Sequence, residues 1–188
     1  MDKPRTSPPR PLTPARLEAA ALRYLERFSA SREQLRRVLA RRLYRATQSG
    51  QDLSEAGHWI PALLERLSRL GYLDDRRYGS MKLHSLRRQG NSTRTVRQKL
   101  AARGLPGGLL DELLAAEAED ETGPDAASAD LTAARTLVRR RRLGFLRPET
   151  ERAPRHQADL AILARAGFSR AIAEAALTES PPEVMESF

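Results

Sequence analysis

The sequence predicts an all-α protein in which three tandem three-helix modules, each helix-turn-helix-like, stack into an elongated curved rod. Composition is the first reason, because aromatic residues make up only 5% of the 188 residues while Ala, Leu and Arg dominate, and these side chains lose little rotamer freedom in a helix. The second reason is that apolar residues recur at helical spacing, and no segment shows the sustained alternation of apolar and polar residues that is typical of a strand. The third is a repeated sequence pattern.

The first module shows the helical pattern most clearly. Its first helix carries Leu17, Ala21, Leu25 and Phe28 on one face. Ser31 is a good N-cap for the next helix, because its hydroxyl can accept a hydrogen bond from a backbone N–H of the first turn. The apolar stripe of that second helix is formed by Leu35, Val38, Leu39 and Leu43. Pro61 suits the first turn of a third helix, and Gly71 a position just after its end.

The same pattern then begins again. Ser31 to Arg36 (SREQLR) and Ser92 to Arg97 (STRTVR) correspond at an offset of 61 residues, which places Leu39 on Leu100. A third round is predicted over Leu131–Leu143, Arg155–Ala166 and Ser169–Leu177, although Asp159 stands there where an apolar residue is expected. Modules too small to bury their own apolar faces should stack side by side.

The predicted organisation follows from these repeats and from changes in composition. The proline-rich start predicts a disordered leader, and the acidic stretch after the second module predicts a linker. The predicted segments are a leader at 1–14, module 1 at 15–73, module 2 at 74–118, an acidic linker at 119–130, module 3 at 131–180 and a tail at 181–188.

The charge of the chain is unevenly distributed. The net charge is +9, yet residues 107–130 carry eight acidic and no basic side chains. Residues 1–50 carry 12 basic against 4 acidic side chains, and residues 51–106 carry 11 against 5. Basic modules of this kind favour an anionic partner, either a nucleic acid or an acidic protein groove. The acidic stretch suggests the further hypothesis that it mimics DNA or shields a basic face until a partner binds.

Several classes of function are excluded by what the sequence lacks. There is no cysteine, so disulfides and thiolate chemistry are excluded. The start of the chain has no apolar segment typical of a signal peptide, and we expect a cytoplasmic protein. His58, His84 and His156 lie far apart, and no phosphate-loop or nucleophile motif is present. We therefore expect no enzyme, no catalytic residue, no metal site and no cofactor.

Three segments in the same order and spacing resemble the RecX family. Leu67 to Tyr78 (LSRLGYLDDRRY) is similar to its hallmark, in which a Leu-Gly-aromatic-Leu-Asp-Asp run leads to an aromatic residue. Arg88 to Leu105 resembles the signature of its second repeat, and Ser31 to Leu39 resembles the Ser-Arg-x-x-Leu helix of the first. The resemblance is good from about Leu17 to Leu114 and looser from Leu131 to Leu177.

The resemblance implies the same fold of three stacked modules and a partner, the filament of RecA recombinase on single-stranded DNA. It implies a negative regulator of homologous recombination, acting in DNA repair and the SOS response, that inhibits ATP hydrolysis and strand exchange by RecA. On these grounds we expect a monomer that contacts RecA and single-stranded DNA, with double-stranded DNA as a further partner and no membrane.

Basic side chains around the second helix of modules 1 and 2, and near Arg139–Arg142, are the candidate partner-binding residues. Like charges four residues apart on a helix repel each other, so helix stability alone does not explain them. Arginine suits both phosphate and carboxylate, because its planar fork makes two parallel hydrogen bonds. The predicted set is Arg32, Arg36, Arg37, Arg41, Arg45, Arg94, Arg97, Lys99, Arg103, Arg139, Arg140 and Arg142.

Other conspicuous residues are interpreted as structural. Asp74 and Asp75, flanked by Tyr72 and Tyr78, predict a tight turn between modules with an Asp N-cap and two packed aromatic rings. Trp59 is interpreted as packing at the entry to a helix.

Two alternative functions stay open. One is a sequence-independent nucleic-acid-binding protein that coats single strands, against which the scarcity of aromatic residues argues. The other is a helix-turn-helix transcriptional regulator, with Arg94 or Gln98 as base-reading residues.

Overall fold

The computed structural model describes residues 11–120 and 128–178. These residues form α-helices and short 3₁₀ turns without a strand, which confirms the all-α prediction. The residues up to Tyr78 form one compact unit and those from Gly79 form a second. The helices are α1 (Pro14–Arg27), α2 (Arg32–Gln48), α3 (Trp59–Arg69), α4 (Asp75–Arg88), α5 (Thr93–Ala102), α6 (Gly107–Asp120), α7 (Ala129–Arg141), α8 (Glu149–Arg165) and α9 (Arg170–Thr178), with 3₁₀ turns at Ser54–His58 and Gly144–Leu146.

The core of the first unit is built from the predicted apolar stripes of α1, α2 and α3. Leu17, Leu35 and Leu39 are almost completely buried, and they pack with Leu64 and Leu67 of α3. Burying a leucine side chain contributes about 1.5–3 kcal/mol. The packing of three short helices against one another therefore stabilises helices that would be marginal alone.

The ends of the α1 stripe differ from the prediction. Phe28 is the C-cap of α1 and is half exposed, with its ring 5.2 Å from that of Tyr24. The helix ends before Phe28 can turn inward, so the predicted face stops at Leu25. Leu12, assigned to the leader, is instead buried, and its backbone N–H donates to Gln51 Oε1 at 2.7 Å. The rest of the leader, residues 1–10, lies outside the described residues.

The predicted turn around Asp74 and Asp75 is partly confirmed. Asp74 Oδ1 accepts a hydrogen bond from the backbone of Arg77, and Asp75 Oδ1 accepts one from the backbone of Arg32 at 2.8 Å. Each carboxylate thus satisfies an N–H of a first helical turn. Tyr78 is buried as expected, but the expectation that Tyr72 packs is wrong, because it is 57% exposed.

The internal repeat is visible in the capping of α2 and α5. Ser31 accepts a hydrogen bond from the backbone N–H of Gln34, and Ser92 does the same for Thr95. A second backbone N–H at the start of each helix donates to an aspartate of a later helix. The Arg32 N–H of α2 donates to Asp75 of α4, and the Thr93 N–H of α5 donates to Asp130 of α7 at 2.6 Å. Equivalent positions 61 residues apart are therefore capped by the same kind of side chain.

The second unit has its core among α7, α8 and α9. Ala134, Val138, Leu163 and Ala176 are fully or almost fully buried there. Helix α8 begins at Glu149, six residues before the predicted start. Pro154 lies within it, in its second turn, and lacks the N–H that would bond to the carbonyl of Thr150.

Asp159, the residue that departed from the repeat, is completely buried in this second unit. Its carboxylate accepts two hydrogen bonds from Arg147, at 2.7 and 2.8 Å, and one from the Gly144 backbone at 2.9 Å. Burial raises the pKa of this carboxyl, but the bonds from Arg147 and Gly144 outweigh burial and hold the pKa below its ordinary value. An ion pair therefore occupies the place of the expected apolar side chain.

Candidate nucleic-acid interface

The outer face of α2 carries the densest row of arginines in the first unit. Arg37, Arg41 and Arg45 follow each other at four-residue spacing, opposite the buried stripe of Leu35 and Leu39. At 1.5 Å rise per residue, their Cα atoms succeed one another at about 6 Å along the helix. The three side chains are exposed, so the helix presents a continuous basic edge to solvent.

Intramolecular pairing divides this basic edge into two parts. Glu33 binds Arg36 through two hydrogen bonds, at 2.6 and 2.9 Å, and Arg37 at 2.8 Å. The hydrogen bond from Arg36 is the main reason why the pKa of Glu33 is lowered to about 2. Among the residues that the structure describes, Arg41 and Arg45 make no ion pair. The second half of α2 is therefore the uncompensated half.

Arg32 is held against the chain itself. Its guanidinium donates to Glu65 at 3.1 Å and to Ser68 at 3.3 Å, both on α3. These bonds link the start of α2 to α3. The prediction that Arg32 binds a partner is untested, and the side chain already has a structural contact.

The predicted residues on α5 have different surroundings. Arg97 pairs with Asp111 at 2.5 Å, and Arg103 donates to the carbonyl of Lys99 at 3.2 Å. Lys99 Nζ donates to Asn91 Oδ1 at 2.7 Å. Arg94 is exposed and has no carboxylate partner within the described part of the chain.

The arginine run at the end of α7 spreads in several directions, as the sequence predicted for four consecutive helical residues. Arg140 donates to the backbone carbonyl of Gln89 at 2.7 Å. Arg142 ends the helix in the left-handed conformation with φ of 52°. Arg139 and Arg141 are exposed.

A cleft of about 480 Å³ within the second unit brings together residues from α5, α7, α8 and the turn after α4. The predicted residues Lys99 and Arg140 line it. Arg141 and Arg165 line it as well, and the sequence prediction did not include them. The only sequence signal for Arg165 was its place in the basic helix end before Gly167. The full lining is Gln89, Gly90, Asn91, Lys99, Leu137, Arg140, Arg141, Ile162, Arg165 and Ala166.

Arg87 has the largest set of partners, and sequence reasoning did not single it out. Two of its nitrogens bind the Glu117 carboxylate, at 2.7 and 2.8 Å, and a third binds Asp130 at 2.8 Å. It also donates to Thr93 Oγ1 and the Asn91 carbonyl. Burial lowers the pKa of this guanidinium, but hydrogen bonds to Glu117 and Asp130 raise it above its ordinary value overall.

This network changes the interpretation of the acidic stretch. Glu117 and Asp130 belong to α6 and α7 and neutralise a half-buried cation. Deleting residues 119–130 would remove Asp130, so it would test folding as well as shielding. Residues 121–127, the middle of the predicted linker, lie outside the described residues.

The described residues contain neither a cluster of potential metal ligands nor a membrane-spanning helix. Residues 11–120 and 128–178 bring no three His, Asp or Glu side chains close enough to hold a metal ion. Within the same ranges, each helix is too short or too polar to cross a bilayer.

Comparison with known proteins identifies the family. The chain is 42% identical over 175 residues to the regulatory protein RecX of Myxococcus xanthus, covering 92% of this chain and 90% of that one. It is 33% identical over 143 residues to the regulatory protein RecX of Halorhodospira halophila, covering 74% and 81%. A scan against family models gave no match.

Two solved structures share the fold. The crystal structure of RecX from Lactobacillus salivarius matches with a TM-score of 0.58 at 14% identity, over 87% of this chain and 93% of that one. A second crystal structure of a regulatory protein RecX matches with a TM-score of 0.55 at 19% identity, over 88% and 74%. Because sequence identity extends over nearly the whole length of a relative and the fold agrees, the chain belongs to the RecX family of regulatory proteins.

Proposed function

We propose that this protein is a negative regulator of homologous recombination that binds the RecA filament on single-stranded DNA and inhibits its ATP hydrolysis and strand exchange. Family membership supports the regulatory role. The observation that carries the proposed contact is the uncompensated half of α2, where Arg41 and Arg45 are exposed and have no carboxylate partner in the described part of the chain. A filament of RecA and DNA offers both phosphates and acidic side chains to such a row.

The experiment is a titration of ATP hydrolysis by RecA on saturating single-stranded DNA. The full chain should inhibit well below one protein per DNA site. The double variant Arg41→Glu, Arg45→Glu should lose at least tenfold in inhibitory potency. The matched control is Arg23→Glu, Arg77→Glu, which makes the same charge change on exposed residues of α1 and α4.

Either of two outcomes would contradict the proposal. Absence of inhibition at any ratio of protein to RecA would contradict the filament role. Equal loss in the two double variants would leave the α2 contact without support, because net charge alone would then explain the effect. Strand exchange, measured with the same variants, should follow ATP hydrolysis.

One observation favours the alternative of a protein that coats single strands. Tyr44 is 66% exposed and lies between Arg41 and Arg45 on α2, so a base could stack on it beside two cations. Stacking of this kind contributes about 1–3 kcal/mol per base. A coating protein should lose at least fivefold in affinity for oligothymidine in the absence of RecA on Tyr44→Ala. It should lose little on Tyr72→Ala, which removes a ring that is 57% exposed.

A further inference from the structure

Like the second half of α2, the basic cleft of the second unit has cations without acids. Lys99, Arg140, Arg141 and Arg165 line it, and no carboxylate does so among the described residues. Some arginines elsewhere in this unit are paired with acids, such as Arg97 with Asp111 and Arg170 with Glu174. Four cations around one cleft repel each other, and a bound anion relieves that repulsion.

Neutral groups hold two of these cations in place. Arg140 donates to the Gln89 carbonyl, and Lys99 donates to the Asn91 side chain, both at 2.7 Å. Asn91 is itself fixed, because its amide nitrogen donates to the Leu86 carbonyl at 2.8 Å. These hydrogen bonds orient the cations and leave their charge unneutralised, which is what a preformed anion site requires.

The backbone at Gly90 lines the cleft and packs closely against α7. Gly90 has φ of +76°, and a Cβ there would lie 2.9 Å from the backbone nitrogen of Leu137. Only glycine fits this combination of left-handed backbone and close approach. The turn after α4 therefore packs directly on α7, which brings the Gln89 carbonyl within reach of Arg140.

Helix dipoles do not account for the arrangement. Arg140 and Arg141 end α7, and Arg165 ends α8, where a cation stabilises a helix by about 0.3–1 kcal/mol. That effect operates wherever the side chain points. It does not explain why both helix ends converge, together with Lys99 from α5, on one cleft.

The lining suits a nucleotide better than a single carboxylate. Leu137 and Ile162 give the cleft apolar surface beside the cations, and ligand sites typically join apolar surface with a few placed polar groups. A volume of about 480 Å³ lies within the usual range for small-ligand sites, about 300–1,000 Å³. An acidic side chain of a protein would leave most of that space unfilled.

We propose that this cleft binds one nucleotide unit of a single DNA strand, with its phosphate between Lys99, Arg140, Arg141 and Arg165 and its base against Leu137 and Ile162. The inference rests on the proposed function only in assigning the bound strand to the RecA filament. It adds a DNA contact in the second unit to the arginine row of α2.

The first experiment measures binding of the full chain to a short fluorescent oligothymidine in the absence of RecA. Arg141→Glu, Arg165→Glu should reduce affinity at least tenfold at low salt. The matched control, Arg152→Glu, Arg155→Glu, makes the same charge change on α8 outside the cleft and should reduce it less than threefold. Circular dichroism and thermal unfolding would verify that both variants are folded.

Salt dependence gives a second readout. Each lost phosphate contact to a single strand should reduce the slope of log K against log salt by about 0.7. The cleft holds one phosphate, so losing that contact in Arg141→Gln, Arg165→Gln should reduce the slope by about 0.7. An unchanged slope in this variant would overturn the proposal, since the two arginines would then contact no phosphate.

Competition identifies the source of the phosphate. Unlabelled oligothymidine should displace the probe at concentrations where thymidine monophosphate and ATP, at equal phosphate concentration, do not. Displacement by ATP with the same sensitivity to the cleft variants would assign the site to a free nucleotide and overturn the assignment to a strand. Photocrosslinking with 4-thiothymidine should label peptides of α5, α7 or α8, and labelling confined to the first unit would also overturn it.

The cleft proposal and the proposed function can be refuted separately. Inhibition of RecA with oligonucleotide binding unaffected by the cleft variants would overturn the cleft proposal alone. Cleft-dependent oligonucleotide binding without any effect on RecA would overturn the filament role and leave the cleft standing.

Discussion

Arg87 and Arg41 are the same residue type in two contrasting environments. Arg87 is 13% exposed and binds Glu117, Asp130, Thr93 and the Asn91 carbonyl. Arg41 lies exposed on α2 and, among the described residues, has no acidic partner. The first holds helices of the second unit together, and the second is available to a partner. The number of arginines therefore does not locate a binding surface, because neighbouring carboxylates decide which cations are free.

Removing the charge of Arg87 should have the largest effect. Arg87→Met keeps much of the packing but leaves Glu117 and Asp130 half-buried without their cation, and we expect a loss of about 3 kcal/mol of unfolding free energy. Urea denaturation followed by circular dichroism measures it. Arg88→Met, an exposed neighbour, should change stability by less than about 0.5 kcal/mol. Similar losses of unfolding free energy in both variants would contradict the distinction between an arginine paired with buried acids and an exposed one.

Asp159 extends the comparison to a buried acid. Asp159→Asn keeps the shape and can still accept from Gly144, but it weakens the bond with Arg147, at an expected cost of about 2 kcal/mol at neutral pH. Because the folded-state pKa is below the ordinary 3.8, the wild-type contribution is fully present above that value. It is lost as pH falls below 3.8 through the folded-state pKa.

The variant should therefore lose less stability than the wild type between pH 4 and pH 2. The difference between the two proteins isolates Asp159 from Glu33, whose pKa is also lowered. Parallel stability curves for the two proteins over this range would show that folding does not lower the pKa of Asp159.

An uncompensated arginine should matter to binding and not to folding. Arg41→Ala is expected to leave the unfolding free energy within about 0.5 kcal/mol of wild type and to weaken RecA filament binding by about fivefold at low salt, less at high salt. Arg97→Ala, which removes a cation already paired with Asp111, should weaken it by less. Anisotropy with a labelled filament gives both affinities, and the reverse order would refute the idea that pairing masks an arginine.

Releasing masked arginines should have the smallest effect. Glu33→Gln removes the carboxylate that binds Arg36 and Arg37. Both cations then become more available to an anion, so we expect an increase of about twofold in affinity for the filament, because such exposed pairs are weak and screened by salt. The same anisotropy assay measures it. A decrease in affinity would mean that Glu33 positions the two arginines for binding.

Sequence reasoning predicted local structure well because the signals are local. The apolar stripe of Leu35 and Leu39, the Ser31 cap, and the helix end before Gly71, which has a positive φ, are all in place. Its errors lie at the end of a helix and in a turn. Phe28 and Tyr72 are exposed there, although their positions in the sequence suggested packing. The division into three modules and the binding role of the predicted arginines stay predictions.

The sequence by itself determined the all-α class, the helix order and the family, because side-chain periodicity, helix caps and motif order depend only on residues close together in the sequence or on their order in it. Tertiary structure alone decided which charges are compensated by residues remote in sequence. Arg87 meets Glu117 and Asp130 across 30 and 43 residues, and Arg140 meets Gln89 across 51. Ion pairs and clefts depend on distances of a few ångströms between residues remote in sequence, and packing of helices sets those distances.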